Sequence, residues 1–153
     1  AGQVSETFHA RFSAKGKIYQ YRILHRPHRS ALERLSIWHF PHSLNMAAMQ
    51  RAARALTGRH DFTAFKGSGG ETKTDRCHLK RLTLRRSGDL ITITIEADRF
   101  LQHMVRNIVG TIVEVGRGKR EAREMKQILL SRDRRLAGPT APSQGLCLVE
   151  VKY

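Results

Sequence analysis

FLQHMVRNIVGTIVEVGRG, residues 100–118, is the stretch on which the reading of the whole chain turns. Leu101, Met104, Val105, Ile108, Val109, Ile112 and Val113 recur at three- and four-residue steps, the period of a helix. The apolar face is too wide for a helix resting on a surface, so this one is expected to be packed on most sides. Gln102, His103, Arg106, Asn107 and Glu114 interrupt the run, which is too polar and too short to span a membrane. Gly116 and Gly118 supply a stop. Arg106 falls between Val105 and Ile108. A guanidinium does not shed its proton, and leaving it buried and unpaired is strongly destabilising. Two readings follow. Either a carboxylate or phosphate lies close to Arg106, or the side chain escapes along the polar edge with Gln102 and His103.

Immediately before this helix, Arg76 to Arg86 and Leu90 to Ala97 form a hairpin pattern around Ser87-Gly88-Asp89. Ile91, Ile93 and Ile95 alternate with Thr92, Thr94 and Glu96, while Leu79 is followed by Leu82 and Leu84. After it, Glu121 to Ser131 reads as a helix with Met125, Ile128 and Leu129 inward. Arg132 to Arg135 is charged and expected to be exposed, and Gly138 to Gly145 reads as a loop. Leu146 to Val151 reads as a short closing strand of the kind buried within a sheet.

Further out, Glu6 to Ala14 and Lys17 to His25 alternate around Lys15-Gly16 and read as an antiparallel hairpin. In the second arm Tyr19, Tyr21 and Ile23 face one way, and Ile18, Gln20, Arg22 and Leu24 the other. Aromatics interleaved with cations suit an RNA platform; two tyrosines with one core-facing side are equally ordinary strand residues. Asn45 to Thr57 reads as a helix capped by Ser43 or Asn45 and stopped by Gly58. Trp38 is expected to anchor the turn-rich segment before it, and Phe62 and Phe65 are apolar anchors after it. Residues 67–75, GSGGETKTD, form a polar loop without the spacing of a phosphate-binding loop. The order of elements argues one α+β domain, a largely antiparallel sheet with helices packed on one face.

The 153 residues carry 28 Lys and Arg against 13 acids, a formal charge of +15 spread along the chain. A dispersed excess of that size favours a polyanionic partner, nucleic acid before membrane. Cys77 and Cys147 lie far apart, so neither a zinc ribbon nor a disulfide framework is supported. His25 with His28, and His39 with His42, are separated by proline and lack cysteine or acidic companions, so no metal site is expected. No signal peptide or apolar span is visible, and a cytoplasmic setting is the default. The chain opens without methionine and is expected to be a piece of something longer.

Four blocks carry a family resemblance: FHARFSAKGKIYQYRI (Phe8–Ile23), LTGRHDFTAF (Leu56–Phe65), RFLQHMVRNIVGTIVEVGRG (Arg99–Gly118) and APSQGLCLVEVKY (Ala141–Tyr153). Together they are similar to the C-terminal half of the bacterial tRNA pseudouridine synthase A family. The resemblance implies half of a pseudouridine synthase fold over residues 1–153. It implies isomerisation of uridine to pseudouridine in the anticodon arm of tRNA, without a cofactor. In that family an aspartate attacks the uridine, the glycosidic bond breaks, and the base turns and is rejoined through carbon. Similarity puts Tyr19 at the position of the tyrosine that stacks on the flipped base and takes part in removing the C5 proton. It puts Arg106 at the position of the arginine that pairs with the catalytic aspartate. The resemblance also implies a homodimer with one tRNA lying across both subunits.

One departure stands out. The family's nucleophile lies in a Gly-Arg-Thr-Asp segment of the N-terminal half, and this sequence contains none. Lys73-Thr74-Asp75-Arg76 echoes it in a loop where the family does not put its nucleophile. The expectation is a C-terminal domain lacking its nucleophile-bearing partner half and inactive alone; the alternative is a non-catalytic basic RNA-binding module. Tyr19 and Arg106 are the candidate catalytic residues. Tyr19, Arg11, Lys15, Lys17, Arg22, Lys66, Lys73, Arg76, Lys80 and His103 are the candidate RNA-binding residues.

Overall fold

A computed structural model describes residues 15–27, 36–69 and 72–153. β1 (Gly16–Leu24) lies at the middle of the sheet. Along one edge it pairs antiparallel with β5 (Leu90–Ala97), from Lys17 opposite Ala97 to Leu24 opposite Leu90. Along the other edge it pairs antiparallel with β6 (Leu146–Lys152) and, at its far end, parallel with the two-residue β2 (Trp38–His39). β4 (Arg76–Ser87) continues the sheet beyond β5, and β3 (Gly58–Asp61) closes it. Among the described residues, six strands and three helices make an α+β domain whose sheet is antiparallel apart from the β1–β2 pair.

The helices cover one face of this sheet. Tyr21, Ile23, Ile91, Ile93, Ile95, Leu82 and Leu84 share a buried cluster with Met49, Ala52 and Ala53 of α1 (Met46–Arg54) and with Ile108, Val109 and Ile112 of α2 (Met104–Gly116). α3 (Glu124–Ser131) adds Met125, Ile128 and Leu129 to the same cluster. The opposite face carries Gln20, Thr83, Arg85, Thr92 and Thr94 around an open groove. The hairpin of β4 and β5 has the expected turn. The uneven step from Leu79 to Leu82 has a physical cause: a bulge between Leu79 and Arg81 restores the inward alternation and leaves Lys80 exposed.

α1 is capped as read, the Asn45 side chain accepting from the Ala48 N–H at 3.0 Å. α2 is packed on most sides: every residue in it is buried except Arg106 and Glu114. It begins four residues later than its periodicity suggests, because His103 takes a left-handed conformation at φ 58° and breaks the turn before it. The other differences come from pairings remote in sequence. Both edges of β1 are taken by β5, β6 and β2, so β1 is a central strand; the hairpin arm expected at residues 6–14 lies outside the described residues. Gly58–Asp61 is a strand, paired with Arg76–Leu79, where sequence periodicity is too short to register. Among the described residues β6 pairs with β1 alone and lies at the sheet margin, not inside it: Leu148 is 47% and Val149 51% exposed.

Candidate functional site

Arg106 projects from the first turn of α2 toward the segment 137–145 and β1. Its Nε donates to the Ala141 carbonyl at 2.8 Å, and the Ala141 N–H donates back to the Arg106 carbonyl at 3.0 Å. Among the described residues its two terminal nitrogens have no hydrogen-bonding or ionic partner. The charge is therefore half-buried and held at one nitrogen, with its two-pronged end open. A forked pair of donors in that state suits a carboxylate or phosphate.

The neighbouring side chain is Tyr21. Its hydroxyl donates to the Pro142 carbonyl at 2.5 Å. Burial pushes its phenol far above the ordinary value, while the Arg106 charge pulls the other way. Tyr19 lies two residues along the same face of β1, half-buried, with its ring edge-on to Phe100 at 5.0 Å. Burial also raises the Tyr19 phenol, so the hydroxyl stays protonated through neutral pH.

The rim of this region is built from two loops and the N-terminal end of α2. The Gly67 N–H donates to the Gln102 carbonyl at 2.8 Å. The His103 ring packs against Gly67, where a Cβ would fall 2.8 Å from Nδ1. Arg99 donates from one terminal nitrogen to the Thr74 and Arg76 carbonyls, at 2.7 and 2.9 Å. Asp75 fastens the loop from within, accepting from Thr72 at 2.6 Å, Thr63 at 2.8 Å and Lys66 at 3.2 Å. The Thr72 hydroxyl first, then Thr63 and Lys66, hold its carboxyl below the ordinary range. Asp75 is thus a structural fastener, engaged by Thr72 and Lys66 and by Thr63 of the preceding turn.

Of the residues singled out from sequence, Lys66, Lys73, Arg76 and His103 fall on these linked loops and the head of α2. Lys15, Lys17 and Lys80 gather where β1 begins, with the Lys80 ammonium 3.8 Å from the Cβ position of Gly16. Arg22 is on the other face of β1, opposite Thr92, with Nε buried and unpartnered among the described residues. Arg11 lies outside the described residues. No three His, Cys, Asp or Glu side chains converge to hold a metal among the described residues. No described helix is long and apolar enough to cross a membrane.

Sequence reading missed a buried polar group on α2 that bonds the residues beside Ala141. Asn107 is fully buried. Its Nδ2 donates to the Phe65 carbonyl at 2.8 Å, and its Oδ1 accepts from Thr140 at 2.6 Å and Arg134 at 3.1 Å. The available signal was an asparagine inside an apolar helical run, a residue type that needs buried partners.

The fold and this site define a basic α+β domain presenting an arginine fork and a tyrosine-bearing strand beside a cation-rich rim. A sequence model described as tRNA pseudouridine synthase matches residues 52–153. The chain is 47% identical over 151 residues to tRNA pseudouridine synthase A of Acetivibrio thermocellus, covering 99% of this chain and 62% of that protein. It is 44% identical over 154 residues to the Myxococcus xanthus protein of the same name, covering 100% of this chain and 58% of that one. With tRNA pseudouridine synthase A of Thermoanaerobacter sp. (strain X514) the identity is 46% over 153 residues, 100% and 63% covered. The chain belongs to the tRNA pseudouridine synthase family. It spans about three fifths of the length of these relatives.

Proposed function

We propose that this chain is the C-terminal, arginine-bearing half of a tRNA pseudouridine synthase that isomerises uridine to pseudouridine in the anticodon arm. The nucleophilic aspartate comes from an N-terminal half carrying the Gly-Arg-Thr-Asp segment, and the chain alone is inactive. The observation that carries this reading is the state of Arg106: one nitrogen satisfied by Ala141 and the forked end without a partner among the described residues. That end pairs with the aspartate and keeps it ionised, as a nucleophile requires.

Tyr19 supplies an aromatic surface for the extruded base, whose unstacking costs a few kcal/mol that stacking offsets. Its protonated hydroxyl is a hydrogen-bond donor at rest; it must lose its own proton before it can accept the one leaving C5. Lys15, Lys17, Lys66, Lys73, Arg76, Lys80, Arg11 and Arg22, with His103, contact phosphates or the flanking nucleotides. The working assembly is a cytoplasmic homodimer with a tRNA across both subunits.

The second reading, a basic RNA-binding module without chemistry, is favoured by the charge of +15 alone. Pseudouridine formation in a tRNA transcript separates the two. The chain by itself is expected to give none, the same chain extended by its upstream Gly-Arg-Thr-Asp segment to give full conversion, and Arg106→Gln in the extended protein to abolish it. Pseudouridine made by the 153 residues alone overturns the reading. Tight tRNA binding that persists with no product from the extended protein establishes the binding module instead.

A further inference from the structure

Segment 134–142 crosses α2 as a strap. At Gly110 the contact is backbone on backbone: a Cβ there would lie 1.7 Å from the Pro139 carbonyl oxygen. The Gly138 N–H donates to the Thr111 hydroxyl at 2.8 Å, and that hydroxyl donates to the Asn107 carbonyl at 2.8 Å. Arg134 reaches back under the strap, donating to the Gly138 carbonyl at 2.8 Å, to Asn107 Oδ1 at 3.1 Å and to the Thr140 hydroxyl at 3.2 Å. Thr140 completes the ring by donating to Asn107 Oδ1 at 2.6 Å. The next residue, Ala141, is the one that holds Arg106 through both its carbonyl and its N–H.

The arrangement sets the position of one charge. An arginine side chain has several rotatable bonds and is expensive to hold in one pose. Here a single carbonyl fixes its Nε, and that carbonyl can be no better placed than the strap that carries it. Three neutral side-chain groups, the Asn107 amide, the Thr140 hydroxyl and the Thr111 hydroxyl, tie the strap to the same helix that bears Arg106. The strap and the arginine are thereby referenced to one rigid element. No carboxylate among the described residues enters the ring, so it leaves the Arg106 charge unneutralised. Arg134 serves as a fork for neutral acceptors and adds positive charge to the same side of the helix.

We propose that Asn107, Thr140 and Arg134 are positioning residues for Arg106: their hydrogen-bonded ring holds the strap across Gly110, so that Ala141 presents the guanidinium fork outward in one orientation. The consequence for turnover rests on the role given to Arg106 under Proposed function; the consequence for the Arg106 side chain does not.

Two measurements test this separately. Thr140→Val removes the ring's outer hydroxyl at an exposed residue, and Arg134→Gln removes its fork, so neither disturbs the apolar core. In the 153-residue chain, the Arg106 Nε–H signal is followed by nitrogen–proton NMR. The double variant is expected to exchange that proton with water about tenfold faster and to shift the signal toward that of an exposed arginine. Thr140→Ser, which keeps the hydroxyl, restores it. An unchanged Nε–H signal in the double variant overturns the proposal. In the upstream-extended protein, the double variant is expected to lower kcat by about tenfold to a hundredfold with KM for tRNA nearly unchanged, again rescued by Thr140→Ser. A loosened Nε–H with unaltered kcat upholds the positioning and overturns the catalytic role assigned to Arg106.

Discussion

α2 and β6 are written in much the same alphabet. The heart of the helix is Ile108-Val-Gly-Thr-Ile-Val113; the closing strand is Leu146-Cys-Leu-Val-Glu-Val151. Both read from sequence as buried. In the folded chain α2 is enclosed by the sheet, by α1 and by the 134–142 strap, with Ile108 and Ile112 fully buried. β6 is paired with β1 along one edge, and most of its side chains are exposed. Apolar content therefore states a demand for burial without saying whether this stretch of chain meets it. α2 meets it within the 153 residues; Leu148 and Val149 leave an apolar patch at the sheet margin, which is the sort of surface that marks an interface.

The largest expected effect lies on the helix side of this contrast. Helix propensity alone says Gly110→Ala should stabilise α2 by about 1 kcal/mol. The strap's close approach says the opposite, because the new methyl collides with a backbone carbonyl that cannot rotate away. A net loss of about 3 kcal/mol in urea denaturation is expected. A gain in stability would mean that the strap does not cross α2 there.

A smaller effect is expected at the loop that abuts the head of α2. The Asp75 carboxyl is held below its ordinary 3.8, first by Thr72 and then by Thr63 and Lys66. A depressed folded value means that its contribution is fully present above the unfolded value and is lost as pH falls through the folded one. The loop segments 66–69 and 72–75 should therefore loosen only below about pH 4, read as faster amide exchange at Gly67 and Asp75. Asp75→Asn should flatten that acid dependence and already show the faster exchange at neutral pH.

The smallest effect is expected on the strand side. Leu148→Thr with Val149→Thr should change the stability of this chain by no more than about 0.5 kcal/mol, because both side chains are half-exposed. A loss as large as that at Gly110 would show that β6 is buried after all, and would erase the contrast.

Much of the fold followed from local pattern. Threonine–isoleucine alternation set β5 and its hairpin, the three-and-four periodicity set α2, and a side-chain oxygen at Asn45 set the start of α1. The site was legible unevenly. Arg106 was conspicuous as a charge in an apolar rod, and Tyr19 through family resemblance; Arg134 read only as part of an exposed charged run and is instead half-buried on Asn107, and the contacts of Thr140 and Ala141 had no local signal. Their roles depend on which carbonyl passes over which turn of a helix some thirty residues earlier, and no short-range pattern encodes that.

By itself, then, the amino-acid sequence determined which segments would be helix or strand and which faces must avoid water, since side-chain period and backbone preference are local properties. It determined too that a strongly cationic α+β domain would carry an arginine in its central helix. Tertiary structure alone decided that β1 would be flanked by strands seventy and more than a hundred residues away, and that β6 would be left at the margin. It also decided that Arg106 would be gripped at Nε by Ala141, with no partner for its other two nitrogens among the described residues. These outcomes are contacts between distant parts of the chain, and they exist only once a shared core has closed around Gly110.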